Sequence, residues 1–190
     1  MATKRTPGTD VRDALVSAGH RVLAAKGVRG LTVRAVATEA GVAPMGVYNH
    51  LDGKDGLVAV IVSDGFERLR ATTAGTLDSD ARQRLRESGR RYRRFALENP
   101  TLYRLMFSEE CNLGGDAGLA ALGALTEIVR YAQAAGVVRD DDAFELTLAI
   151  WSCVHGAVSL ELDGAAPIPV DRDAIFESVL DLIENGVTAR

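Results

Sequence analysis

The sequence predicts an all-α fold of about nine helices. Three observations carry this reading. Apolar residues recur at three- and four-residue spacing along nearly the whole chain, Gly, Pro and Asp-Gly interruptions cut it into helix-length segments, and no hairpin signal, internal repeat or low-complexity tract stands out. At 190 residues the chain holds one generous domain or two small ones. Apolar residues at 47% and charged residues at 25% are ordinary globular usage and argue against wholesale disorder.

The segments follow in order. Thr9 to Lys26 places Val11, Leu15, Ala18, Val22 and Leu23 on one face, with Arg12, Asp13 and Arg21 off it, and Gly27 and Gly30 close the helix. Thr32 to Ala40 carries Val33, Val36, Ala37 and Ala40 at i, i+3, i+4 and i+7. Gly41 interrupts, and a second short helix runs from Pro44 to His50. Asp52-Gly53 opens a longer helix to about Thr73, and after Asp78 an Arg-rich helix ends at Asn99-Pro100, where the residue before proline disfavours the α region. Thr101 to Phe107 leads into a loop around Asn112 to Gly115. Helices from Ala117 to Ala135 and from Asp142 to Leu162 follow, and Pro167 and Pro169 precede a last helix, Asp171 to Glu184.

Charge is distributed unevenly. Residues 1–54 carry eight Lys and Arg against four Asp and Glu, whereas residues 55–190 carry 14 against 22. A positive head on an acidic body points to different partners, and nucleic acid suits the positive part. The basic N-terminus lacks the apolar stretch of a signal peptide. The most apolar stretch, Leu146 to Leu160, reaches about 22 Å, short of a hydrocarbon core of roughly 30 Å. Cys111 and Cys153 read as reduced thiols rather than a disulfide framework, so a soluble cytoplasmic protein without a membrane partner is expected.

Thr32 to Lys54 is the most informative stretch. Two short helices joined by a three- or four-residue turn containing Gly form a helix-turn-helix, with an ordinary helical hairpin as the alternative. Thr32 is placed to cap the first helix, Gly41 to make the turn, Val42 to enter the core, and Pro44 to open the second helix, where its missing N–H costs little. Val47 and Leu51 then lie inward at i, i+4. Pro44, Met45, Tyr48 and Asn49 face outward, and Gly46 lets the helix approach a backbone closely.

These residues resemble the DNA-binding segment of the tetracycline-repressor (TetR) family of bacterial transcriptional regulators. The family pattern of Thr, an apolar-Ala pair, Ala-Gly-Val, Leu-Tyr-x-His-Phe, two residues, Lys-Glu and Leu is met by Thr32, Val36-Ala37, Ala40-Gly41-Val42, Val47-Tyr48-Asn49-His50-Leu51, Lys54-Asp55 and Leu57. Two departures stand out. Ala43 occupies the usual Ser or Thr position, which removes a side-chain cap from the second helix, and Leu51 replaces a core Phe. Trp151-x-x-x-His155-Gly156 and Asn99-Pro100-x-x-Tyr103-x-x-Met106-Phe107 resemble one C-terminal subgroup of the family.

The resemblance implies a three-helix DNA-binding head over residues 1–56 and a helical dimerisation and ligand-binding body over 57–190. It implies a dimer on a palindromic double-stranded DNA operator, with a small hydrophobic effector and no cofactor. Thr32, Arg34, Ala43, Pro44, Met45, Tyr48, Asn49, His50 and Lys54 are the candidate DNA residues. Of these, Met45 and Asn49 are placed near bases, and Thr32, Tyr48, His50 and Lys54 near phosphates. The last two long helices are the candidate homodimer interface, because the segment from Asp142 is apolar nearly all round and must be covered on every side.

Aromatic walls with a few polar groups make small-molecule pockets, so Phe66, Tyr92, Phe95, Tyr103, Met106, Phe107, Trp151 and His155 are the candidate pocket. The helix from Lys54 to Thr73 is the natural lever between pocket and head. Core packing of Trp151 and His155 is the alternative to pocket lining. Seven arginines between Arg82 and Arg94 read either as a solvated face paired with the acidic body or as a second anion-binding surface.

No catalytic set emerges. Cys153 and His155 lie two apart on a helix and point away from each other, and Cys111 with His155 is a remote pairing. His20, His50 and His155 lack metal-ligand spacing. Glu109-Glu110 and Asp140-Asp141-Asp142 read as solvated helix-end charges. A non-enzymatic regulator, repressor by preference, is therefore expected, with an inducer-free regulator and an all-α enzyme as the rivals.

Overall fold

The computed structural model describes residues 8–74, 80–108, 115–165 and 169–189, with side chains from residue 11 onward. Asp78, Glu109, Glu110, Cys111, Asn112 and Pro167, named above, lie outside the described residues. Nine helices are present among those described: α1 Gly8–Gly30, α2 Val33–Ala40, α3 Pro44–Leu51, α4 Gly53–Ala74, α5 Ala81–Glu98, α6 Pro100–Met106, α7 Gly115–Ala134, α8 Ala143–Leu162 and α9 Arg172–Val187. The all-α expectation holds. The only extended pairing among the described residues is an isolated bridge between Val138 and Thr188.

The chain divides into two compact units, Met1–Phe66 with Thr101–Ala117, and Glu67–Pro100 with Gly118–Arg190. In the first, Leu15, Ala18, Val22 and Leu23 of α1 are buried, as their spacing requires. The expected helix end at Gly27 becomes a kink. Gly27 leaves helical geometry at φ 69°, and one further turn runs on to Gly30. Gly19 lets α1 approach α4 closely, since a Cβ there would sit 2.6 Å from Ile61 Cδ1. Beside that contact, His20 Nε2 lies 2.7 Å from Asp64 Oδ2. Gly65 of α4 makes similar room for Met106, whose Sδ would be 2.7 Å from a Cβ.

The second unit is organised by α5. Asp80, Asp142 and Asp171 cap α5, α8 and α9, each accepting two backbone N–H groups, so the aspartates complement the positive helix ends. Leu85, Ser88, Tyr92, Phe95 and Ala96 of α5 point into the core. Its arginines form a ladder toward α8 and α9. Arg82 reaches Glu184, and Arg86 reaches Asp181 at 2.6 Å, Glu184 at 2.7 Å and Glu177 at 2.9 Å. Arg90 meets Glu177 at 2.7 Å, and Arg93 meets both Glu161 and Asp173 at 2.7 Å. The Arg93–Glu161 pair is bidentate and largely buried, at 15% and 10% side-chain exposure. The arginine run is thus mostly an internal fastening to acidic helices. Arg84 differs in lying over the Tyr131 ring at 4.9 Å.

The helix α8 is longer than its apolar heart suggested. Its 20 residues span about 30 Å and are apolar enough to cross a membrane on length and composition alone. Leu146, Thr147, Ile150, Val154 and Val158 are nevertheless buried in the core of the second unit. Within this chain α8 is covered on one side only, since Phe144, Leu148, Ala149, Cys153 and Leu160 are exposed. Ile175 and Leu182 of α9 are likewise exposed, at 48% and 72%. Ile183, next to Leu182 in the chain, instead faces the core. The end of α9 is tied down by Arg139, whose N–H donates to Val187 O at 2.8 Å and whose guanidinium reaches Gly186 O.

Hydrogen bonding from Arg90, and secondarily from Arg86, holds the Glu177 carboxyl down at about 2 despite partial burial. A carboxyl with a depressed folded-state pKa stabilises the fold above its unfolded value and loses that contribution as pH falls. Melting temperature is therefore expected to fall between about pH 4.5 and 2, less steeply in Glu177→Gln. Calorimetry of both proteins across that range checks it.

Candidate nucleic-acid interface

The interface is built by local rules. Thr32 Oγ1 accepts the Ala35 N–H at 3.2 Å and caps α2. The helix ends at Gly41 in the left-handed region at φ 70°, and the Gly41 and Val42 amides return to Thr38 O and Ala37 O at 3.2 and 2.9 Å. Ala43 is extended and makes no side-chain cap, and Pro44 opens α3. The missing cap inferred from sequence is thus a feature of the structure.

Helical periodicity then sorts the side chains of α3. Val47 and Leu51 are buried at 0% and 4%. Met45 and Tyr48 are exposed at 63% and 56%, with Ala43, Pro44 and Asn49 exposed beside them. The outward face of α3 thus leaves a large apolar and an aromatic side chain in water over a buried core. Thr32, Arg34 and Lys54 are exposed on the same helix-turn-helix and its continuation, and His50 is half-buried. Val42, expected in the core, is only half-buried, because it sits at the turn where the chain passes over the surface. Arg21 is taken up by Glu39 at 2.7 Å, which leaves Arg34 and Lys54 as the nearer cations for an anionic backbone.

The candidate pocket residues fall in two groups. In the first unit Phe66 meets Phe107 edge-on at 5.3 Å, Tyr103 lies 4.8 Å from Phe107, and Met106 is fully buried. In the second, the Tyr92 hydroxyl lies 2.8 Å from His155 Nδ1 and accepts the Trp151 indole N–H at 3.3 Å. Burial pushes the His155 pKa down, so the imidazole is neutral near pH 7. Phe95 is buried under Arg68, whose guanidinium lies 6.0 Å from the ring centre. Sequence spacing paired Trp151 with His155 but gave no hint that Tyr92, 59 residues away from Trp151, links them. A separate cleft of about 310 Å³ between α5 and α9 is lined by Arg90, Arg93, Arg94, Leu97, Glu98, Asp173, Phe176 and Glu177. It contains none of the candidate pocket residues. Among the described residues no His, Cys, Asp and Glu cluster has the make-up of a metal site, and Cys153 is exposed.

Residues 15–61 match the model of bacterial regulatory proteins of the tetR family. Residues 85–183, more than half of the chain, match the tetracyclin repressor-like C-terminal domain. The chain belongs to the TetR family. Its function class is that of a DNA-binding, helix-turn-helix transcriptional regulator.

Among TetR-like relatives, an uncharacterized HTH-type transcriptional regulator of Mycobacterium tuberculosis, Rv0681, is 27% identical over 94% of this chain and 82% of its own length. A solved protein of unknown function from Rhodococcus sp. RHA1 superposes with a TM-score of 0.81 at 27% identity, covering 94% of this chain and 95% of that one. A TetR family transcription regulator from Marinobacter aquaeolei VT8 shares the fold with a TM-score of 0.70 at 19% identity, covering 96% and 97%.

Two substitutions in the TetR-type recognition helix test its local energetics. Ala43→Ser supplies the missing cap and is expected to stabilise the protein by about 1 kcal/mol. At Gly46 a new Cβ would meet Val42 Cγ2 at an ordinary 3.5 Å, so Gly46→Ala is expected to add roughly 0.5–1 kcal/mol. Denaturant unfolding of the purified variants measures both.

Proposed function

We propose that this TetR-family protein is a cytoplasmic repressor that binds a palindromic operator as a homodimer and is released by a small hydrophobic compound. The observation that carries the DNA reading is the exposed face of α3, with Met45 and Tyr48 in water over a buried Val47 and Leu51. A helix of this size fits the major groove. There Asn49 can pair bidentately with adenine, and Met45 can touch a thymine methyl. Thr32, Tyr48, His50 and Lys54 hold phosphates, and Arg34, Ala43 and Pro44 border the contact. The head comprises residues 1–56 and the body 57–190.

The dimer reading draws on α8 and α9. Phe144, Leu148, Leu160, Ile175 and Leu182 form exposed apolar surface, and Ala149 and Gly156 permit close helix approach. Two heads held at half-sites about 34–36 Å apart, or a multiple, supply the base contacts that one head lacks. For the effector, Trp151, Tyr92 and His155 offer an aromatic surface with linked polar groups able to orient a ligand. A second reading, an inducer-free regulator, draws on the mutual packing of Phe66, Tyr103 and Phe107, which fills space with aromatic rings.

Three measurements test this. DNA fragments selected by the purified protein are expected to carry inverted repeats, and Lys54→Ala is expected to weaken binding to all of them while reducing the salt slope by about 1. An unchanged slope removes the phosphate role of Lys54. Leu182→Arg is expected to convert the dimer to monomer by light scattering at micromolar concentration, and a monomeric parent protein would remove the interface. A melting-temperature screen with hydrophobic compounds separates the two readings of the body, since only a ligand-gated repressor gives a hit that also weakens operator binding.

A further inference from the structure

The turn between the recognition helix and α4 carries more than a change of direction. Asp52 adopts the left-handed region at φ 54°, the only non-glycine among the described residues with positive φ, and Gly53 follows at φ 79°. Two successive left-handed residues bring the start of α4 back against the preceding helix. The Asp52 N–H donates to Tyr48 O at 3.2 Å. A Cβ on Gly53 would lie 3.1 Å from Tyr48 Cε1 and 3.3 Å from Cδ1, tighter than ordinary side-chain contact. The Gly53 backbone is itself buried, while the phenol beside it is 56% exposed. The turn thus engages Tyr48 through its carbonyl, and at Gly53 it leaves little room for a Cβ beside the edge of the ring.

We infer that Gly53 is a positioning residue for DNA binding: its bare Cα is the shelf that fixes the Tyr48 ring, and with it the hydroxyl presented to a phosphate. The inference rests on the reading that Tyr48 contacts the DNA backbone. An exposed tyrosine is otherwise free to rotate about χ1, and ordering it on contact costs side-chain entropy that a preformed shelf removes. A Cβ at position 53 comes within 3.1 Å of the ring edge, so the phenol must give by a few tenths of an ångström from its place beside the turn. Because Gly53 is also the first residue of α4, a shift of the first turn of that helix carries the shelf with it and moves the ring. The recognition helix is thereby coupled to α4 through van der Waals contact as well as through the covalent chain.

The test is a double-mutant cycle on affinity for a duplex selected by the purified protein, at fixed salt. Gly53→Ala and Gly53→Asn both add the Cβ, and asparagine tolerates the left-handed backbone better, so the pair separates ring displacement from backbone strain. Each is expected to weaken binding by about three- to tenfold in the parent and to add nothing in a Tyr48→Ala background, the signature of residues acting through one contact. Independently of any variant's folding, the Gly53 Hα resonances of the parent protein are expected to show an aromatic ring-current shift that Tyr48→Ala abolishes. Parent-like affinity in both Gly53 variants overturns the inference. Equal losses with and without the Tyr48 ring also overturn it, as does a Gly53 resonance unaffected by Tyr48→Ala. If Tyr48→Ala itself leaves affinity unchanged, the phosphate reading of Tyr48 falls first and the inference falls with it.

Discussion

The burial of Val47 and Leu51 is the contact on which the rest of the DNA-binding head depends. These two side chains, at i and i+4 on a helix of eight residues, join Val36, Ala37, Leu15 and Ala18 in the core of the first unit. With one face pinned, the 100° step between residues leaves no choice for Met45, Tyr48 and Asn49, which must face water or a partner. The capping Thr32, the left-handed Gly41 and the Pro44 start fix where α2 ends and α3 begins, and so fix the angle at which that outward face is presented. The outward face of α3 is thus built on a hydrophobic contact made on the opposite side of the same helix.

In the second unit an equivalent sorting is achieved by charge. The α5 arginines reach Glu177, Asp181 and Glu184 on one side of α9, and Arg93 reaches Glu161 of α8. Exposed ion pairs contribute little individually, but a bidentate, largely buried pair and a shared network do set helix rotation. With the acidic side of α9 committed to α5, its apolar residues Ile175 and Leu182 are left pointing away from the unit's core. An ionic fastening between α5 and α9 therefore leaves an apolar surface exposed, and this is the surface on which the proposed dimer draws.

Much of this was legible in the residues. Nine segments, the cap at Thr32, the outward face of α3 and the absent cap at Ala43 all follow from local chemistry, in which a residue's partners lie within four positions. What the pattern misjudged were quantities set by distant neighbours. Gly27 reads as a stop but serves as a kink, since the helix can resume after one left-handed residue. Ile183 sits in an apolar stripe with Ile175 and Leu182, yet one side of a helix is core and the other surface only once a neighbour is in place. The apolar residues of α8 predict burial without saying whether the burying partner belongs to the same chain.

By itself, then, the sequence determined the all-α class and the helix-turn-helix with the inward Val47 and Leu51 and the outward Met45 and Tyr48. These are short-range consequences of periodicity, capping and backbone preference. Only the tertiary structure decided that Arg82, Arg86, Arg90 and Arg93 pair with α8 and α9, that Tyr92 joins Trp151 and His155, and that the edge of the Tyr48 ring lies beside Gly53. The first two link residues that lie dozens of positions apart, and the third depends on two left-handed residues whose combined turn no single position announces. Contacts of that kind exist only after the chain has folded back on itself, because neither side chain nor spacing encodes which distant surface will arrive.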